Sequence, residues 1–216
     1  MIIEEDAIAV RPDEAVIVNA LVRQAFVSAQ EVMGENGLNA VLRASGLERF
    51  IGNFPSNDTN PGIKTVEYAR FNEAIESFYG RGGRGMLRRI GRASFQYGVR
   101  EQGALMGMAG AALKLMPHKG RIKFILNAMV NALKKTNPQV DAWVEEEGDK
   151  IAYCESTCAI CLGRRSDQPI CHLYVGSINE AVRWATDQEH EIVETHCIAR
   201  GDPYCRFEVG EMVREL

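Results

Sequence analysis

The residues best equipped for chemistry lie in the last third of the chain. All six cysteines fall between Cys154 and Cys205, and Glu194 sits among them. The strongest pattern is Glu194-x2-Cys197-x7-Cys205, with Cys171 upstream. Thiolates and one carboxylate are soft or borderline donors that suit tetrahedral zinc. Four protein ligands would close such a site to water, which points to a structural or ligand-gating metal rather than a hydrolytic one. The competing reading makes these cysteines small buried hydrophobes and Glu194 a surface charge. Paired cysteines across a short hairpin favour the metal.

A second group, Cys154-x3-Cys158-x2-Cys161, falls outside that set. Its spacing is that of a three-cysteine iron–sulfur loop, which makes these residues candidates for a second metal or a cluster. The plainer reading is a loop of thiols near the zinc site, open to redox change. His172 or His196 would join such a site only with other ligands close by. Gly80, Gly82 and Gly85 satisfy G-x-G-x-x-G. A dinucleotide site needs a strand before that motif, and a helix is expected there. Arg84, Arg88 and Arg92 would share one helical face. They are read as a solvated face paired to acidic residues, with contact to an anionic ligand as the alternative.

These groups need elements to hold them. Apolar residues recur at helical spacing from Asp13 to Met33, with Gly34 suited to the end. A short helix is expected over Leu38–Ala44 and a loop over residues 52–62. Further helices are expected over Val66–Tyr79, Gly85–Gln96, Glu101–Leu115 and Lys119–Lys135. After Pro138 the pattern changes. Gln139–Glu145 and Lys150–Cys154 suggest a hairpin about Glu147-Gly148-Asp149. Cys171–Thr186 is helical again, and His190–Ala199 and Tyr204–Val209 form a second pair of strands. Locally joined strands favour an antiparallel sheet with helices packed on it, an α+β fold with an N-terminal helical extension. Methionines and leucines such as Leu105, Met106, Met108 and Met129 are read mostly as core, with some lining a pocket.

Length and composition bound the function. The chain has 216 residues, enough for one sizeable core and short for two. Its net charge of −4 provides no general attraction to nucleic acid or anionic membranes. No apolar run is long enough to span a bilayer, and the N-terminus lacks a secretory pattern. A reducing cytoplasm is the expected location, where six cysteines suit metal or redox roles better than disulfides.

The stretch Pro-Ile-Cys-His-Leu-Tyr-Val-Gly, then Glu-Thr-His-Cys-Ile-Ala-Arg-Gly-Asp-Pro-Tyr-Cys-Arg-Phe, resembles the 4-vinyl reductase domain family. Phe78-Tyr-Gly-Arg-Gly-Gly and Gly91-Arg92 are also similar to it. That family includes the sensor domains of phenol-responsive activators, in which a cysteine, a glutamate and two further cysteines hold zinc. The order and spacing match Cys171, Glu194, Cys197 and Cys205. The resemblance implies a four-stranded antiparallel sheet with helices, a homodimer, and a buried pocket for a small apolar or aromatic molecule. It divides the chain into an extension at residues 1–62 and a ligand-binding domain at residues 63–216. The activators' ATPase and DNA-binding domains are absent, so the expected role is a sensor or carrier with a separate signalling partner. A tetrapyrrole vinyl reductase or accessory protein, and an iron–sulfur or thiol redox sensor, are the alternatives. Neither a hydride-donor site nor a catalytic triad is evident, so no catalytic residue is expected.

Overall fold

The computed structural model describes residues 15–101, 113–137 and 139–213. Strand β1 (Val16–Val18) runs straight into helix α1 (Asn19–Ala44). Val22, Ala25, Phe26 and Ala29 are buried at helical spacing, as their periodicity requires. Gly34 has φ 75° and ψ 168°, a conformation outside the helical range. It is therefore a kink between two helical segments, where a helix end followed by a separate short helix was expected. Strand β2 (Pro61–Lys64) pairs antiparallel with β1, Val16 facing Lys64. The helix expected from Asp13 and the loop expected through residue 62 both yield residues to this small sheet. Pairing between distant segments leaves no local periodicity to read.

Helices α2 (Thr65–Tyr79) and α3 (Gly83–Glu101) follow, joined by a tight turn at Gly80–Gly82. Gly80 has φ 52°, the left-handed region that glycine tolerates. The G-x-G-x-x-G stretch thus follows a helix, as expected, and serves a helix–helix corner. The helix expected over residues 101–115 lies largely outside the described residues. Helix α4 (His118–Thr136) starts directly after Pro117.

The four-stranded sheet uses β3 (Ala142–Glu147), β4 (Lys150–Glu155), β5 (His190–His196) and β6 (Cys205–Met212), in the order β3-β4-β6-β5. Every pairing is antiparallel, so the α+β expectation holds. Gly148 turns the first hairpin with φ 61°. Helix α5 (His172–Thr186) packs on one sheet face, where Tyr174 meets the rings of Tyr153 and Phe207 at 5.9 and 5.7 Å. Phe26 gathers Phe50, Phe54 and Phe71 at the other end of the same hydrophobic cluster. Residues on both sides of position 62 therefore share one core.

Two glycines fix where α5 sits. A Cβ on Gly91 would lie 2.0 Å from the Leu173 carbonyl oxygen, and one on Gly176 would lie 2.0 Å from that of Arg88. Helices α3 and α5 cross backbone against backbone, which only glycine permits at both positions. That crossing sets the height of the α5 N-terminus, and Cys171 is its N-cap residue.

Candidate metal centre and adjoining groove

The donors arrive from four places. Cys171 caps α5, Glu194 lies on β5, Cys197 follows β5, and Cys205 opens β6. Between Cys197 and Cys205 the chain makes a short 3-10 turn and reverses at Gly201, whose φ is 99°. The Cys197 N–H donates to Asp202 Oδ2 at 2.8 Å, and the Ile198 N–H donates to Cys205 Sγ at 3.4 Å. The Cys171 N–H donates to Glu194 Oε2 at 2.8 Å. Cys171 Sγ lies 4.0 Å from Cys197 Sγ and 3.8 Å from Cys205 Sγ. All four side chains are buried.

The same cluster contains two thiols that spacing assigned elsewhere. Cys158 Sγ is 3.5 Å from Cys171 Sγ, and Cys161 Sγ is 3.4 Å from Cys205 Sγ. The group Cys154, Cys158 and Cys161 is therefore divided. Cys154 is on β4, where alternation places it on the sheet face opposite Tyr153. Its thiol lies 3.9 Å from a Glu145 oxygen, opposite Arg206 in register. Cys158 and Cys161 lie beyond the strand, on a segment that folds back over the cluster. Spacing in sequence does not report that reversal. His172 and His196 belong to neither donor set. His172 is buried with its Nε2 unbonded, 3.8 Å from Glu76, and burial pushes it down to about 4. His196 stacks on Tyr204 and bonds to Thr195.

The donor chemistry fits a cation. Burial pushes Glu194 up to about 8, and the neighbouring Cys197 pushes in the same direction. Its Oε1 is buried with no hydrogen-bond partner. Burial likewise pushes Cys158 up to about 12. A divalent ion among these atoms would reverse the preference by stabilising every deprotonated form at once.

Beside the cluster opens a groove of about 430 Å³. Arg84, Arg88 and Arg92 line it from α3, His172, Gly176 and Asn179 from α5, and His190 to Glu194 from β5. Arg92 is paired with Glu189 and Glu180, as a solvated basic face would be. Arg84 and Arg88 have no carboxylate partner among the described residues. This groove is more polar than the apolar pocket the resemblance implies. Next to it, His190 Nδ1 donates to the Gly210 carbonyl and His190 Nε2 faces His118 Nε2 at 3.0 Å. With its proton on Nδ1, His190 accepts from His118.

The sequence reading missed Glu155, which is 1% exposed and accepts from the Tyr153 hydroxyl at 3.0 Å. Burial raises it to about 7. A lone glutamate at a strand end carries no sequence signal of burial. The helix-crossing role of Gly176 was equally silent, although Gly91 stood in a stretch already singled out.

The architecture is that of a sensor-type α+β fold. It is similar to the Fe(II) unliganded H-NOX protein from K. algicida, with a TM-score of 0.59 and 12% identity over 93% of this chain and 98% of that one. It is similar also to an H-NOX protein from S. oneidensis in the Fe(II)NO ligation state, with a TM-score of 0.57 and 12% identity over 89% and 99%. An oxygen-binding H-NOX domain related to soluble guanylate cyclases matches with a TM-score of 0.57 and 12% identity over 93% and 98%. These likenesses are of fold. Residues 155–211 match the family model of the 4-vinyl reductase domain, which places the C-terminal portion of the chain in the family its motifs resemble. No curated protein matches the chain in sequence. Among the described residues, no helix is long and apolar enough to cross a membrane.

Proposed function

We propose that this chain is a zinc-stabilised binding domain for a small hydrophobic or aromatic molecule, acting as a sensor or carrier. The observation that carries this reading is the double position of Glu194. It is a donor of the Cys171, Glu194, Cys197 and Cys205 set, and it also lines the groove. A zinc held by those four side chains would tie the β5–β6 hairpin to the start of α5. It would thereby set one wall of the groove. Arg84 and Arg88 on the facing wall favour a molecule with an anionic or acceptor group on its apolar body. Two of the H-NOX structures that share the fold carry nitric oxide or oxygen, which supports a small-molecule role for this architecture. The homodimer, the separate signalling partner and the division at residue 62 that the resemblance implies belong to the same proposal.

The test is metal analysis with native mass spectrometry on the full chain purified under reducing conditions. Stoichiometric zinc and a retained small molecule are expected. Chelation should lower the melting temperature by about 10 °C or more and release the molecule. Metal-free protein that melts unchanged with chelator would sink the reading, and a haem recovered in place of zinc would replace it.

A further inference from the structure

We infer that the cysteine cluster is a binuclear site, holding two divalent metal ions bridged by the thiolates of Cys171 and Cys205. This rests on the metal reading above and extends it by a second ion. The ground is geometric. Two four-donor sets coexist, Cys158, Cys161, Cys171 and Cys205 in one, and Cys171, Glu194, Cys197 and Cys205 in the other. Within each set the ligand atoms all lie within 4.8 Å of one another. The sets share two residues, Cys171 and Cys205, so they are neighbouring tetrahedra with a common edge.

The distances agree with that description. A zinc–sulfur bond of about 2.3 Å gives a tetrahedron edge of about 3.8 Å. The shared edge, Cys171 to Cys205, is 3.8 Å. The outer contacts are 3.5 Å for Cys158 to Cys171, 3.4 Å for Cys161 to Cys205 and 4.0 Å for Cys171 to Cys197. A thiolate sulfur has lone pairs enough to bind two cations, whereas a thiol has a proton in the way. A four-iron cubane would hold each thiolate on a different iron and spread them beyond this spacing. Iron–sulfur chemistry is therefore the poorer fit to the same cysteines.

Charge points the same way. One ion on the Glu194 set leaves Cys158 and Cys161 as buried, protonated spectators in contact with charged sulfurs. With two ions, five thiolates and one carboxylate carry −6 against +4. The remaining negative charge faces backbone donors. The Ile198 N–H points at Cys205 Sγ, and Cys171 stands at the positive end of the 15-residue helix α5. Uptake of the second ion would release the protons of Cys158 and Cys161 to solvent.

The experiment is a titration of the full, metal-stripped chain with Co(II) under anaerobic, reducing conditions, read by optical and electron paramagnetic resonance spectroscopy. The expected endpoint is two equivalents per chain. The resonance intensity should rise with the first equivalent and fall with the second, as bridging thiolates couple the two ions. Native mass spectrometry of zinc-loaded protein should show two zincs. The double variant Cys158→Ser with Cys161→Ser should retain one equivalent with full uncoupled intensity. An endpoint of one equivalent with undiminished resonance overturns the binuclear site and leaves the single-zinc reading intact. No uptake at all overturns both.

Discussion

The two ends of the molecule are stabilised by different physics. Around α1 and α2 the core is a ring cluster, Phe26 against Phe50, Phe54 and Phe71, with Val22, Leu38 and Ile75 filling between. Around α5 and β6 the core holds five thiols, Glu194 and Glu155, all buried. Apolar burial stabilises the first at roughly 25 cal/mol per Å² with no partner required. The second buries ionisable groups, which cost free energy unless something compensates them. A helical end that folds on hydrophobicity alone thus frames a sheet end whose stability depends on what binds there. That arrangement suits a domain in which the ligand-facing region responds to occupancy and the other serves as a fixed base.

The contrast can be broken most directly at a shared donor. Cys171→Ser should abolish metal retention and cost at least about 5 kcal/mol, read by metal analysis and chemical denaturation. If the variant keeps its metal and its stability, the sulfur cluster is ordinary packing and the contrast disappears. In the aromatic region, Phe26→Ala should cost about 4 kcal/mol while leaving metal stoichiometry unchanged. Loss of metal in that variant would show that the two ends are one cooperative unit at the site as well. Between them, Gly176→Ala forces a methyl into the Arg88 carbonyl and should cost about 3 kcal/mol. It should also weaken metal affinity, because α5 carries Cys171; unchanged affinity would separate the crossing from the site. The smallest effect concerns Glu155. Its carboxyl is raised by burial from 4.5 to about 7, so it binds its proton more tightly in the fold. The stability it contributes is present below about pH 4.5 and is lost as pH rises through about 7, amounting to about 3 kcal/mol at most. Glu155→Gln should remove that loss, so the variant gains on wild type between about pH 5 and pH 8. A parallel pH dependence in both proteins would count against a buried proton there.

Legibility in the sequence followed the range of the interactions. Helices α2, α4 and α5 and both hairpins of the large sheet were readable because periodicity and turn residues such as Gly148 and Gly201 act locally. Strands β1 and β2 were not, since their pairing joins Val16 to Lys64 across α1. The set Cys171, Glu194, Cys197 and Cys205 was readable from spacing and family likeness, and the structure brings these four residues together. The sulfur pair Cys158 and Cys161 was noticed but assigned to a separate loop with Cys154, because linear spacing does not tell which strand face a residue takes or where a loop turns back.

By itself the sequence determined the donor types, the soft ligand chemistry they suit, the antiparallel α+β class and the family of the C-terminal portion. Those follow from composition, local periodicity and motif order, which need no distant partner. Tertiary structure alone decided that two cysteine groups are one cluster, that Cys154 is excluded from it, and that Glu194 joins the cluster to an arginine-lined groove. The reason is that the β4 pleat, the Gly91–Gly176 crossing and the reversal after β4 each act on positions far apart in the chain. Only their sum places five sulfurs within bonding reach of shared ions.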